Sequence, residues 1–154
     1  MKEILLTQNR YAIVDDEDYE RINEHKWYYK TPYAARRVKG IVNKVIMHRV
    51  IMGDIPEGLE VDHINGNKLD NRKCNLRICK RSDNSKNVSK RPGYSSRFKG
   101  VSWVKDRKRW AVYVCNNGNN KHLGNFKDEK EAALFYNLKA KELHGEFAKL
   151  NEVE

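Results

Sequence analysis

Four polar side chains in the middle of the chain, Asp62, His63, Asn75 and Asn84, are of types that do chemistry together. The Asp62 carboxylate and an amide oxygen from Asn84 are hard ligands, suited to Mg²⁺ or Mn²⁺ and poorly suited to zinc. His63 follows Asp62 on an extended segment, so the two side chains should point to opposite sides of the backbone. With an ordinary pKa of about 6.5, the imidazole can serve as a general base near neutral pH. A carbonyl from Asn75 would accept its Nδ1 proton and leave Nε2 to take a proton from water. One cation and one oriented histidine suffice to hydrolyse a phosphodiester. The histidine activates water, and the metal stabilises the pentavalent phosphate and the departing 3′ oxygen.

The elements that must position these groups lie between Glu60 and Asn87. Glu60 to Ile64 reads as a short strand, and Asn65-Gly66-Asn67 is a strong turn signal because both residue types tolerate positive φ. A polar loop follows, in which Asp70 and Arg72 read as scaffold. Asn75 to Cys79 alternates like a second strand. Ser82 reads as the N-cap of a short polar helix that carries Asn84 and Asn87. This stretch has little apolar material, so it reads as a site rather than a core.

Asn75 stands twelve positions after His63 and Asn84 nine further on, within the text VDHINGNKLDNRKCNLR. That order resembles the HNH motif of phage homing endonucleases. The resemblance implies a ββα-metal site in which His63 is the general base and Asn75 orients it. Asp62 and Asn84 would hold one divalent cation, Mg²⁺ or Mn²⁺. Asn84 stands where many relatives have histidine, and Asn87, one turn later, is the alternative ligand. The ends left would be 5′-phosphate and 3′-hydroxyl.

Composition points the same way. In 154 residues, 31 Lys+Arg against 21 Asp+Glu give a formal charge of +10, which favours a polyanionic partner. The sequence pI is near 9.5 and the mean hydropathy −0.89, with no apolar run long enough to cross a membrane. MKEILLTQNR is too short in apolar residues for a signal peptide, so a cytoplasmic place, in a bacterial host if phage-encoded, is expected. Cys74, Cys79 and Cys115 form no CxxC pair. No structural zinc and no disulfide are therefore expected, and all three read as buried or incidental thiols.

Residues 1–53 read as an N-terminal α/β extension. Ile4 to Leu6 and Tyr11 to Val14 look like strands, and Asp15 to His25 like a helix with Tyr19 and Ile22 on one face. A hairpin is expected around Thr31-Pro32, a further strand over Ile41 to Met47, and a short helix over Met47 to Met52. There His48 and Arg49 either touch a phosphate or serve the packing. Tyr33, Arg36, Arg37 and Lys39 form either a DNA-facing surface or a solvated basic hairpin.

Residues 88–97, VSKRPGYSSR, read as an extended, mobile basic linker able to track a phosphate backbone. Beyond it come three strands, over Phe98 to Val104, Trp110 to Cys115 and Lys121 to Gly124. A helix follows from Asp128 to His144, with a capping-box start at Asp128 and Glu131 and a stop at Gly145. Ala132, Phe135, Tyr136, Ala140 and Leu143 share one helical face. The pattern from about Arg97 to Asn151 resembles the AP2 DNA-binding domain. Gly100-Val101, Trp110, Leu123-Gly124, Phe126, Ala132-Ala133, Tyr136 and Asn151 stand at its scaffold positions. The resemblance implies a three-stranded antiparallel sheet entering the major groove with the helix behind it. Ser102, Val104, Tyr113, Cys115 and His122 stand where relatives have base-reading arginines and tryptophans. Candidate DNA contacts are Arg91, Arg97, Lys99, Ser102, Lys105, Lys108, Arg109, Tyr113 and Lys121.

The expected protein is α+β: 1–53 extension, 54–87 HNH ββα-metal core, 88–97 linker and 98–151 AP2-like domain. It would be a metal-dependent, site-selective endonuclease on double-stranded DNA, acting as a monomer that nicks, with no membrane partner. The alternative is a non-catalytic, sequence-specific DNA-binding regulator, and an RNA-directed or nonspecific nuclease is a third possibility.

Overall fold

β1 (Lys2–Leu5) and β2 (Tyr11–Val14) pair antiparallel, with Lys2 opposite Val14 and Leu5 opposite Tyr11. Their alternation sends Ile4, Ala12 and Val14 inward. They open the first of two units, Met1–Arg81 and Ser82–Glu154, of a computed structural model that describes residues 1–90, 93–116 and 118–154. α1 (Asp16–Asn23) follows, burying Ile22 and placing three acids in its first turn, where the helix dipole favours them. β3 (Tyr28–Lys30), β4 (Tyr33–Arg36) and β5 (Val45–Ile46) form an antiparallel sheet in that order. The strand expected over Ile41 to Met47 is reduced to β5, because Ile41 and Val42 face solvent. α2 (Met47–Met52) buries Met47, His48 and Ile51.

β6 (Leu59–His63) and β7 (Leu76–Lys80) form a two-stranded hairpin in which Asp62 faces Arg77 and His63 faces Leu76. Its long loop is stitched to the N-terminal residues. Ile13 donates to Leu69 O and accepts from Asn71 N, both at 2.8 Å. Asp15 takes the Lys73 N–H at 2.7 Å, while Lys73 Nζ pairs with Glu17 at 2.6 Å and Asp18 at 3.2 Å. Val61 and Leu76 of the hairpin share a single apolar core with Ile4, Leu6, Val14, Ile22, Trp27, Ala34, Met47 and Ile51. The boundary expected between residues 53 and 54 therefore runs through a core. The hairpin has too little apolar surface to stand without the residues before it.

α3 (Arg81–Asn84) comes next in the chain. Ser82, expected as its N-cap, lies inside it and accepts on its carbonyl from Ser85 Oγ at 2.7 Å. In the second unit β8 (Val101–Val104), β9 (Arg109–Asn116) and β10 (Asn119–Phe126) form an antiparallel sheet with β9 central. α4 (Glu129–His144) is capped by Asp128, which accepts from Glu131 N at 2.8 Å. It buries Ala132, Ala133, Tyr136, Ala140 and His144 in a core with Phe98, Val101, Val112 and Val114. Leu143, expected on that face, is exposed; His144 takes the inward position and bonds the Cys115 carbonyl at 2.9 Å. Gly100, at φ 75°, lets the chain run against the Tyr136 ring. Asn151 brackets the Lys99 peptide, accepting from its N–H at 2.6 Å and donating to its carbonyl at 3.1 Å.

The segment expected to be a mobile tether is used internally where it is described. Lys90 donates to the carbonyls of Phe98 (2.6 Å) and Val101 (2.9 Å). Ser95 accepts from Trp103 N at 2.8 Å, and the buried Ser96 from Phe98 N at 2.9 Å. Hydroxyls and an ammonium that read as linker composition satisfy backbone groups at the start of the sheet.

Candidate active site

Asp62 and His63 are consecutive on β6, which sends them to opposite faces, and both are buried, at 1% and 0% exposure. The two faces differ in kind. On the Asp62 side Arg77, its partner across the hairpin, reaches Oδ2 with Nε at 3.1 Å and Nη2 at 2.8 Å. Lys68 Nζ lies 3.6 Å from Oδ1. On the His63 side the neighbours are rings. His48 of α2 stands edge-on at 4.9 Å between centroids, and Tyr33 at the start of β4 lies 6.3 Å from His63 and 5.3 Å from His48.

His63 Nε2 sits 3.3 Å from Asn71 Oδ1. The Asn71 amide is fixed from its other end, because Nδ2 donates to Leu69 O at 3.1 Å and to Met47 Sδ at 3.5 Å. An amide oxygen only accepts, so the Nε2 atom carries the proton and the basic lone pair is on Nδ1. Burial holds the His63 pKa below its ordinary value, partly opposed by the Asn71 hydrogen bond. Burial also pushes His48 down to about 3, and it raises Tyr33, with Glu60 and Asp62 adding to the rise.

Asn75 is buried, and its bonds go to the loop. Oδ1 accepts from Asn65 N at 2.9 Å, Nδ2 donates to Asp70 O at 2.8 Å, and its carbonyl takes the Ile64 N–H at 2.9 Å. The side chain that meets His63 Nε2 is that of Asn71, and Asn75 braces the loop that carries Asn71. Asp70 is the scaffold expected of it, accepting from Arg72 at 2.7 and 2.8 Å and from Asn65 at 2.9 Å. Asn84 ends α3, and Asn87 is buried just after it. Among the described residues no three His, Cys, Asp or Glu side chains form a metal cluster. The Asp62 carboxylate is a hard oxygen donor of the kind a dication takes, and Arg77 and Lys68 face its two oxygens.

The candidate DNA contacts are spread over the second unit. Residues paired across a ladder share a face, so Ser102, Arg109 and Tyr113 lie on the side of the sheet away from α4. Tyr113 meets His122 there at a tilt, with ring centroids 5.2 Å apart. Lys105 and Lys108 are exposed in the β8–β9 turn. Lys121 pairs with Val114 and so belongs to the α4 side. Lys99 is turned inward and donates to Lys86 O at 2.6 Å, and its pKa is lowered to about 8 by burial and by Lys149. Arg97 is exposed and lies over the Phe98 ring at 4.8 Å. Arg91 lies outside the described residues. In the first unit Tyr33 is committed to His48, and Arg36 lies over Trp27 at 5.4 Å. Cys79 is buried, and Cys74 and Cys115 are exposed free thiols.

Asn71, Lys68 and Arg77 are the site residues that sequence reasoning passed over. The hairpin register, had it been assigned, would have paired Arg77 with Asp62; nothing local marks the other two.

The hairpin that carries Asp62 and His63 lies where comparison with known proteins gives a family. A profile described as HNH endonuclease matches residues 45–86, which takes in α2 and His48 as well as the hairpin. An uncharacterized HNH endonuclease of Acanthamoeba polyphaga mimivirus is 35% identical over 149 residues, covering 94% of this chain and 76% of that protein. Protein 3.8 of Escherichia phage T7 is 33% identical over 125 residues, covering 81% of this chain and 95% of that protein. No solved structure matches the chain. The chain belongs to the HNH endonuclease family, and its substrate is DNA.

Proposed function

We propose that this endonuclease is a metal-dependent, site-selective homing enzyme that nicks double-stranded DNA through one active site per chain. His63 is the general base. Its Nδ1 lone pair takes a proton from water as the water oxygen bonds to phosphorus. The P–O3′ bond breaks, its electron pair stays on the 3′ oxygen, and that oxygen is protonated from solvent, leaving 5′-phosphate and 3′-hydroxyl ends. Asp62 and Asn84 would hold one divalent cation, Mg²⁺ or Mn²⁺, which when bound stabilises negative charge on the phosphate and the departing oxygen. Asn71 keeps the histidine in the tautomer that presents Nδ1. The observation that carries this reading is the hydrogen bond between the buried His63 and the Asn71 amide, one residue from a buried carboxylate.

The ββα-metal unit of this proposal is β6, β7 and α3, placed in residues 54–87, followed by a linker over 88–97. Residues 98–151 are proposed as an AP2-like DNA-binding domain. Support comes from the three-stranded sheet with α4 on one face, and from the other face bearing Ser102, Arg109 and Tyr113. The test is conversion of supercoiled plasmid carrying DNA from the neighbourhood of the gene, with Mg²⁺, Mn²⁺ or EDTA. Wild type should give open circle only with metal. His63→Ala should lose cleavage yet retain the DNA in a gel shift, because the base acts in the transition state. Cleavage by His63→Ala at the wild-type rate would overturn the assignment.

A further inference from the structure

The two cations on Asp62 are held differently. Arg77 makes two N–H bonds to Oδ2, is 12% exposed, and is fixed by the β6–β7 register. Lys68 faces Oδ1 at 3.6 Å, beyond hydrogen-bond range, and its side chain is 25% exposed on the hairpin loop. An ammonium on a flexible stem is a movable point charge, whereas a guanidinium in a two-point pair is not. Asp62 at 1% exposure is costly to bury without counter-charge, and Lys68 adds to that of Arg77 on the Oδ1 side.

We propose that Lys68 is an exchangeable placeholder cation, holding Asp62 Oδ1 in the metal-free protein and yielding that oxygen when the divalent ion binds. The inference rests on the reading of Asp62 as a metal ligand. A dication and an ammonium repel at this range, so only one of them occupies Oδ1 at a time. Arg77 stays on Oδ2 throughout and keeps the carboxylate oriented. Lys68 therefore competes with the metal and weakens its apparent affinity. It also keeps the loop in place before metal arrives.

The test is Mn²⁺ binding to the full chain without DNA, followed by the electron paramagnetic resonance of free Mn²⁺. Lys68→Met should bind Mn²⁺ about fivefold more tightly, equivalent to ~1 kcal/mol. Lys68→Arg, which keeps the charge, should stay near wild type, and Asp62→Asn should lose most binding. Unchanged or weaker binding by Lys68→Met, with binding lost in Asp62→Asn, overturns the placeholder and leaves Asp62 as a ligand. Wild-type binding by folded Asp62→Asn overturns the ligand assignment and the inference with it. A gain in Lys68→Arg equal to that in Lys68→Met also overturns it, since packing rather than charge would then be responsible. If Asp62→Asn fails to fold, the comparison of the two Lys68 variants still decides.

Discussion

Asn71→Ala should lower both the stability of the first unit and the rate of cleavage, and the two losses have separate origins. The side chain is 1% exposed, so truncation leaves its partners without access to water. Its Nδ2 bond to Leu69 O is the lesser loss, because that carbonyl also accepts from Ile13 N at 2.8 Å. The Nε2–H of His63 is the greater loss. A buried donor left unmet costs about 1–3 kcal/mol, and at 3.3 Å the lower half of that range applies. With the small cavity added, ~2 kcal/mol is expected in urea unfolding. The backbone N–H of Asn71 still reaches Ile13 O at 2.8 Å, so the loop should stay docked.

Cleavage should suffer more. Without Oδ1 the ring is no longer confined to the tautomer with the lone pair on Nδ1, and its orientation loosens. General-base catalysis is worth about 10²–10⁴-fold, and losing orientation should remove about 10–100-fold of it. Single-turnover nicking at saturating DNA reads this directly, and DNA affinity should be unchanged. Asn75→Ala is the comparator, because its bonds brace the loop without touching His63. If Asn71→Ala cleaves at the wild-type rate while Asn75→Ala at equal stability does not, the orienting role belongs to Asn75 and the tautomer argument fails.

Two further outcomes follow from the second unit. Gly100→Ala should cost more than ~3 kcal/mol, since its Cβ would overlap the Tyr136 ring and lie 2.6 Å from Tyr113 O at a φ of 75°. Urea unfolding within 1 kcal/mol of wild type, by about the usual precision, would refute that close approach. Lys99 has a folded pKa lowered to about 8, so between there and its ordinary 10.5 the unfolded chain binds more protons. Stability should therefore rise with pH across that window, and Lys99→Met should flatten the rise. A pH profile of unfolding identical in the two proteins would show the ammonium to be solvated.

What could be read from the chain was local. The α4 ends follow from Asp128 and Gly145, and β6 and β7 as separate strands from the runs on either side of the Asn65-Gly66 turn, because caps and turns are set by neighbours in sequence. Asp62 and His63 were legible as neighbours on a strand, which β6 carries. Asn71 was not, because a loop asparagine beside a turn looks like turn chemistry, and only the docking of the loop on Ile13 carries it under the histidine. The same holds for residues 88–97. Serine and lysine read as a solvated tether until Ser95, Ser96 and Lys90 are seen to meet backbone groups of the sheet. The role of residues 1–53 was also hidden. α1 and β2 hold the loop, and α2 supplies the ring packed on His63.

Placing a carboxylate and a base side by side in sequence sets two needs against each other. The base must be neutral, which favours apolar surroundings, and the carboxylate must be charged, which favours cations and water. Alternation along β6 answers both at once. One face gives His63 the rings of His48 and Tyr33 and the Asn71 amide. The other gives Asp62 the guanidinium of Arg77 and the ammonium of Lys68. Shifting the strand by one residue would put the imidazole among cations and the carboxylate among rings, and neither group would then keep its working charge. On the proposed roles, the β6–β7 register matters as much as the side chains themselves, and the hairpin shares its core with the N-terminal residues.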